Sequence, residues 1–372
     1  MVQKEHPTPY PRNHLPRLFF KALGKLLLPA LFNLEISGRD TYPDQGPLIV
    51  VGNHTAAMEA VLMNVYTPWQ IEMLSAADMP AEGVTEFLNK HYGVIPLNRG
   101  SYDRSALRKA LSVLEQNGIL GLFPEGGIWE EGEMRAQPGV AWLSYRGGAP
   151  VLPIGFNDTT GAVNRALELK RPKLEMHVGE IIPPMEVTDR TSKKDELQEY
   201  ADRVMAAVRK LIPDRDRPEK AIRDERFSLE LQVRTADGDP EDIPSQLAIE
   251  HSQSLAKFLH RPAILKIFRE NLELDVDPLE NLAGKPSARE IIRSLEKVLT
   301  YLDEENPYLL TYRFGPREGH QMKLGLEELL ALARWIDRET LRSEIIPIRR
   351  YFSPTEGQEI EQRQQKTVQS WM

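Results

Sequence analysis

The sequence predicts an α/β domain over residues 33–213 followed by a mainly helical domain, and three observations carry that reading. Short, branched apolar runs punctuated by glycine and proline recur in the first part, as Pro47-Leu48-Ile49-Val50-Val51, as Gly118-Ile119-Leu120-Gly121-Leu122-Phe123 and as Ala149 through Phe156. Runs of that length and punctuation read as buried strands. Apolar residues then return at helical spacing over 105–117 and over 193–212, where Leu197, Ala201, Val204, Val208 and Leu211 share a face. Finally, after the charged, proline-flanked stretch 213–218, the pattern is mostly helical, over 246–258, 263–271, 287–302 and 324–338.

The elements divide the chain into four parts. Residues 1–32 form an N-terminal region around an amphipathic helix, residues 33–213 the α/β domain, residues 219–352 the helical domain, and residues 353–372 a polar, Gln-rich tail expected to fray. A possible extended piece at 308–314 interrupts the helices of the second domain. The stripe Ile291, Ile292, Leu295, Val298 and Leu299 reads as core, and no motif in this domain assigns it a role.

Composition narrows the functional classes. A chain of 372 residues is long enough for two domains with separate cores. Its net charge of −8 lies mostly beyond residue 216, which argues against nucleic acid as a partner. Cysteine is absent, which excludes a disulfide framework and any cysteine nucleophile. The histidines form no zinc-type spacing, so no metal site is expected.

Residues 15–32 allow two readings. Leucines and phenylalanines nearly encircle a helix that Lys21, Lys25 and Pro29 interrupt. A membrane-spanning helix needs about 20 apolar residues, so this one is too short and too charged to span. It suits an interfacial helix on an anionic leaflet, or a helix packed on the sheet with its lysines reaching water. The interfacial reading expects removal of residues 1–32 to release the protein from membranes.

Chemistry concentrates where the strands end. Asn53 and His54 follow the first apolar run, and Glu59 lies further along the same segment. Histidine, with an ordinary pKa of about 6.5, is suited to act as a general base, and a carboxylate is suited to orient it. Five residues along a helix turn through about 500°, so contact between His54 and Glu59 requires a non-helical start at Thr55 and Ala56. On this segment alone, a helix cap with a solvated Glu59 is the competing reading. Glu125 is delivered at the carboxyl end of another strand, where open α/β sheets bind ligands. Arg99 ends the extended stretch 93–98 and either holds an anion or pairs with Asp103 or Glu115.

The four segments in this order resemble the glycerolipid acyltransferase superfamily, the PlsC-like enzymes of phospholipid biosynthesis. Their blocks are His-four residues-Asp, Gly-x-Ile to Arg, Phe-Pro-Glu-Gly and Val-x-Pro-Ile; here they are His54 to Glu59, Gly93 to Arg99, Phe123-Pro124-Glu125-Gly126 and Val151 to Ile154. Two departures stand out: Glu59 replaces the usual Asp, and Gly127-Ile128 replaces the usual Thr-Arg. The resemblance implies a mixed sheet flanked by helices and an O-acyltransferase peripheral to the cytoplasmic side of a membrane. His54 is then the catalytic base oriented by Glu59, and Arg99, Glu125, Gly126 and Asn53 bind the acceptor, with Arg135 a possible substitute for the missing arginine. The donor is acyl-CoA or acyl carrier protein, the acceptor is a lysolipid or a glycerol-phosphate-like alcohol, and no cofactor is expected. The rival is a catalytically inactive lipid or acyl-carrier binding protein on the same fold, which would release no thiol when acceptors are added. Oligomeric state, acyl chain length and acceptor identity are not legible.

Overall fold

The structure is a computed structural model that describes residues 9–76, 89–98, 103–126, 136–189, 192–213, 224–261, 264–265, 268–269, 272, 274, 287–352, 359–364 and 369–371. It forms two compact units that divide between Ala221 and Ile222.

The first unit contains, in chain order, helix α1 (His14–Leu31), strands β1 (Asn33–Ser37) and β2 (Leu48–Gly52), helix α2 (Met58–Tyr66), and strands β3 (Ile71–Ala76) and β4 (Ile95–Leu97). Then come α3 (Arg104–Glu115), β5 (Ile119–Leu122), α4 (Gly139–Gly147), β6 (Val151–Asn157), α5 (Ala162–Leu167), β7 (Lys173–Val178) and α6 (Lys193–Leu211). The strands form one seven-stranded sheet in the order β1-β7-β6-β2-β5-β3-β4. Every pairing is parallel except β6 with β7, so the sheet is mixed.

Strand alternation explains the two-sided core. On β2, Ile49 and Val51 join α3, α4 and α6 on one face, packing with Val113, Leu143, Val204 and Val208. Leu48 and Val50 point the other way, toward Leu62, Met63, Leu28 and Ala162 of α2, α1 and α5. All five residues of β2 and all seven of β6 are buried, which is why these strands are continuously apolar in sequence. The N-terminus of α3 is fixed by Asp103, whose carboxylate accepts from the Ala106 amide at 3.0 Å. That cap accounts for an acid that the sequence offered as a partner for Arg99.

Helix α1 is held in an unusual manner. Arg17 is buried and its guanidinium grips Glu72 of β3 at 2.6 and 2.9 Å, while donating also to the carbonyls of Tyr92 and Gly93. Lys21 donates to the Trp69 carbonyl at 2.7 Å. Gly24 brings the helix against α2, since a Cβ there would stand 2.5 Å from Val65. Arg17 and Lys21 therefore face the protein, while Lys25 is exposed and Leu15, Leu18, Phe19, Leu23, Leu26, Leu27 and Leu31 face outward. Among the described residues, no helix is long and apolar enough to cross a membrane.

The second unit is helix-rich, as expected, with α7 (Ser252–Leu259), α8 (Ala288–Thr300), α9 (Leu309–Phe314) and α10 (Pro316–Arg338). Ser287 and Glu290 close a capping box at the start of α8, whose buried stripe includes Ile291, Leu295 and Val298. Two readings need correction. Residues 308–314 hold helix α9 rather than an extended piece: the amides of Tyr312 and Gly315 donate to the carbonyls of Tyr308 and Thr311, four residues back, at 2.8 and 2.9 Å. The helices also accompany a four-stranded sheet, formed by β8 (Asp224–Arg234), β9 (Arg342–Phe352), β10 (Glu359–Gln364) and β11 (Gln369–Trp371). Strands β10 and β11 lie in the stretch expected to fray, and their backbones pair antiparallel with β9. A polar composition is compatible with an edge strand, because ladder hydrogen bonds do not depend on the side chain.

Candidate active site

Strands β2, β5 and β6 run side by side and parallel, so their carboxyl ends share one edge of the sheet. From that edge emerge Asn53-His54, Phe123-Pro124-Glu125 and Asp158-Thr159. Residues 53–57 are not helical and α2 begins only at Met58, so the irregular start needed to bring His54 and Glu59 together is present.

Glu59 sits in the first turn of α2 and is fully buried. Its Oε2 lies 3.4 Å from His54 Nδ1 and accepts from the Ala56 amide at 2.9 Å. Its Oε1 accepts from the Thr55 amide at 3.2 Å, the Thr55 hydroxyl at 2.7 Å and the Thr159 hydroxyl. Burial alone would raise the carboxyl pKa, but the hydrogen bonds from His54, Thr159 and Thr55 and the charge of His54 hold it below the ordinary value. A helix N-terminus reinforces the same preference for the anion.

The imidazole is fixed on a second side. Its ring stacks on Phe123 at a centroid separation of 4.2 Å and an interplanar angle of 8°. With Nδ1 directed at Glu59, Nε2 is the nitrogen left for a substrate proton. The histidine keeps 21% of its side-chain surface exposed against none for Glu59, so it is the accessible member of the pair.

Glu125 differs from Glu59 in charge state. It is buried, and burial raises its pKa to about 8, with the Glu59 charge pushing in the same direction. A hydrogen bond with the His54 backbone and the cation of Arg209 on α6 oppose this without cancelling it. The site therefore combines one carboxylate held as the anion with a second carboxyl held largely protonated near neutrality. The turn that presents Glu125 closes with Gly126 donating to the Phe123 carbonyl at 3.0 Å, and Gly126 takes φ 71°, a left-handed conformation that glycine adopts without a steric penalty.

Asn53, expected to bind the acceptor, is buried at the same edge. Its side-chain amide pairs with the backbone of Phe156, donating to the carbonyl at 2.9 Å and accepting from the amide at 2.8 Å. These bonds extend the β2–β6 pairing one residue past the strand and fix Asn53 next to His54. Arg99, Arg135, Gly127 and Ile128 lie outside the described residues.

Thr159 was not singled out in the sequence. The available signal was positional: it follows the last strand of the apolar set and so reaches the same edge as His54 and Glu125. Among the described residues, one further cluster has metal-ligand types, Glu35, Glu175 and His177 on β1 and β7, but the ammonium of Lys173 is inserted between the two carboxylates.

The family model described as Acyltransferase matches residues 33–157, the stretch that carries His54, Glu59 and Glu125. Over that stretch the chain carries an acyltransferase domain similar to those of the PlsC-like glycerolipid enzymes. A 1-acyl-sn-glycerol-3-phosphate acyltransferase of Bacillus subtilis (strain 168) is 19% identical over 158 residues, which cover 42% of this chain and 77% of the relative. One from Borreliella burgdorferi is 28% identical over 131 residues, covering 33% of this chain and 51% of that protein, so only about half of its length is matched. The crystal structure of the 1-acyl-sn-glycerophosphate acyltransferase PlsC from Thermotoga maritima aligns at a TM-score of 0.40 and 18% identity, over 52% of this chain and 80% of that one. The family match ends at residue 157, and residues 222–372 of the second unit fall outside it.

Proposed function

We propose that this acyltransferase moves a fatty acyl group from the thioester of acyl-CoA or acyl carrier protein to the hydroxyl of a lysolipid or glycerol-phosphate-type acceptor, without a covalent acyl-enzyme. The observation that carries the reading is His54 held between Glu59 and Phe123 at the carboxyl edge of the sheet, with one ring nitrogen committed to Glu59. In the reaction the acceptor O–H proton passes to His54 Nε2 while the oxygen bonds to the thioester carbonyl carbon. Collapse of that adduct breaks the C–S bond, and the imidazolium returns the proton to the departing thiolate. Glu59 holds the imidazole in the tautomer that leaves Nε2 basic and stabilises the imidazolium between the two transfers.

Glu125 has the right properties to grip the acceptor. A carboxyl protonated near neutrality donates a hydrogen bond to an acceptor oxygen as well as accepting one, and it does so without setting a second negative charge beside Glu59 or a phosphate. The names of the curated relatives make 1-acyl-glycerol-3-phosphate the first acceptor to test. A charged headgroup then needs cations, and Arg99 and Arg135 are assigned to it by their place in the motif order.

The reading of a membrane-surface enzyme is supported by α1, which turns Arg17 and Lys21 inward and an apolar stripe out. Soluble helices arrange these the other way round, so the stripe is suited to the acyl boundary of a bilayer.

The deciding experiment measures free thiol released from palmitoyl-CoA and from palmitoyl carrier protein, with and without lysophosphatidate. Release is expected to depend on the acceptor and to fall by about 10²- to 10⁴-fold in His54→Ala, the typical contribution of a positioned general base. A folded His54→Ala retaining activity within a few-fold of wild type would remove His54 as the base.

A further inference from the structure

The loop that joins β6 to β7 carries an apolar surface that the acyltransfer reaction does not use. Helix α5 ends at Leu167, 78% exposed, and the turn after it presents Leu169, 86% exposed, with Val163 half exposed beside them. Leu169 takes φ 61° and Arg171 φ 40°, left-handed conformations that side chains other than glycine rarely adopt. The turn is closed by Leu169 donating to the Ala166 carbonyl at 2.9 Å and Lys170 to that of Arg165 at 3.1 Å, so the two leucines stand on a fixed ridge. The two bonds form a Schellman-type helix C-cap, which accounts for the left-handed backbone at Leu169, while nothing in the cap requires an exposed leucine at that position.

The ridge is joined to α1. Arg171 donates to the Pro29 carbonyl at 2.8 Å, and the Asn33 amide donates to the Pro172 carbonyl at 3.0 Å. A shallow groove between the two is lined by Phe32, Arg39, Tyr66 and Arg171. The outward stripe of α1, including Leu15 at 75% and Leu26 at 72% exposure, is thus continuous with the ridge through a basic seam. Within residues 163–171 the charged residues are Arg165, Lys170 and Arg171 and one acid, Glu168, which pairs with Lys170 at 2.7 Å.

We propose that the Val163–Leu169 ridge is a second membrane anchor, which inserts beside α1 into a bilayer containing anionic lipid. Leucines that point outward within a rim of lysine and arginine match the acyl boundary and the anionic headgroups together, a combination that no other surface of a water-soluble partner requires. The ridge begins four residues after Thr159, whose hydroxyl holds Glu59, so the anchor places the catalytic edge close to the bilayer that supplies the acceptor. The proposal rests on the reading of the chain as an enzyme acting at a lipid surface.

The test uses the full chain and vesicle sedimentation without substrate, so its result is separate from turnover. On vesicles of phosphatidylcholine with phosphatidylglycerol, Leu167→Ser combined with Leu169→Gly is expected to lower the partition coefficient about tenfold or more. The glycine accepts the left-handed backbone, so the double variant is expected to unfold at or above the wild-type temperature. Arg165→Gln with Lys170→Gln is expected to lose about fivefold for each charge on these vesicles and nothing on pure phosphatidylcholine. Wild-type vesicle affinity in the folded leucine variant would overturn the anchor. So would self-association that the leucine substitutions abolish while vesicle binding stays intact, which would assign the ridge to a second copy of the chain. Failure of acyltransfer in wild type, with vesicle binding behaving as expected, would overturn the proposed reaction and leave the anchor standing.

Discussion

Nδ1 of His54 lies 3.4 Å from Oε2 of Glu59, a carboxylate with no exposed surface that also accepts from Thr55, Ala56 and Thr159. The pairing sets a tautomer, and tautomer is what a neutral replacement disturbs. Glu59→Gln is expected to lower kcat by about 10²- to 10⁴-fold with little change in KM, since the imidazolium loses its counter-charge. Glu59→Asp keeps the charge but shortens the arm by about 1.5 Å. It cannot then reach His54 and Thr159 together, and a loss of about tenfold is expected. Steady-state kinetics decide this, and a Glu59→Gln enzyme within a few-fold of wild type would reduce the pair to a structural contact.

Thr159 works on the base only through Glu59. Thr159→Val keeps the shape and removes the hydroxyl, leaving a buried carboxylate one donor short, at a cost of about 1–3 kcal/mol in stability. Because Thr159 is one of the groups that lower the Glu59 pKa, its loss moves that pKa up. A group with a lowered folded pKa stabilises the fold above its unfolded pKa and loses that contribution as pH falls through the folded one. The valine variant should therefore unfold in acid at a higher pH than wild type, and its rate should fall off at a higher pH on the acid side. Thr159→Ser, which restores the hydroxyl, is expected to restore both, and an unchanged acid limb in the valine variant would confine Thr159 to packing.

Glu125 has the opposite sign. Its folded pKa is raised to about 8 by burial and by the Glu59 charge, so the folded protein binds a proton that the unfolded chain has already lost above its ordinary carboxyl range. That contribution to stability is complete below the unfolded pKa and disappears as pH rises through about 8. Wild type is thus expected to lose stability between weakly acid and weakly basic solution, while Glu125→Gln, always neutral, should flatten that slope. Chemical unfolding across this range measures it, and parallel curves for the two proteins would mean that Glu125 is ionised throughout.

How much was legible in advance depended on whether a residue acts through its neighbours in sequence or across the sheet. Runs such as Leu48 to Val51 and Val151 to Phe156 read as strands because both faces are buried, and the irregular step from His54 to Glu59 followed from helix geometry alone. Strand β8 escaped because it is one-sided: Phe227, Leu229, Leu231 and Val233 alternate with polar residues, and a half-apolar segment among amphipathic helices gives a weak signal. The pairing of Asn53 with the Phe156 backbone was not legible, because that partner comes from a distant strand. The short distance from Thr159 to Glu59 depends on β2 and β6 being neighbours, and strand order is not written in any local pattern.

Helix α1 is the last case, because it packs on the protein through one face and exposes an apolar stripe on the other, and the structure changes how its two readings are separated. Arg17 and Glu72 form a buried ion pair at 2.6 and 2.9 Å, which Arg12 completes from the adjoining segment. Removing one partner of such a pair leaves an uncompensated buried charge at a cost of about 3–5 kcal/mol. Deleting residues 1–32 would strip Glu72 of both arginines at once, so loss of membrane binding in that truncation would report unfolding. Arg17→Met is accordingly expected to lower stability by about 3–5 kcal/mol, and Arg17→Met with Glu72→Leu to recover most of it, because a buried pair replaced by apolar groups is often neutral. Phe19→Ser with Leu26→Ser, on the exposed stripe, should instead leave the unfolding midpoint unchanged and reduce partitioning to anionic vesicles about tenfold or more. A large fall in stability from the surface pair, or none from Arg17→Met, would mean that the inward and outward faces of α1 have been assigned the wrong way round.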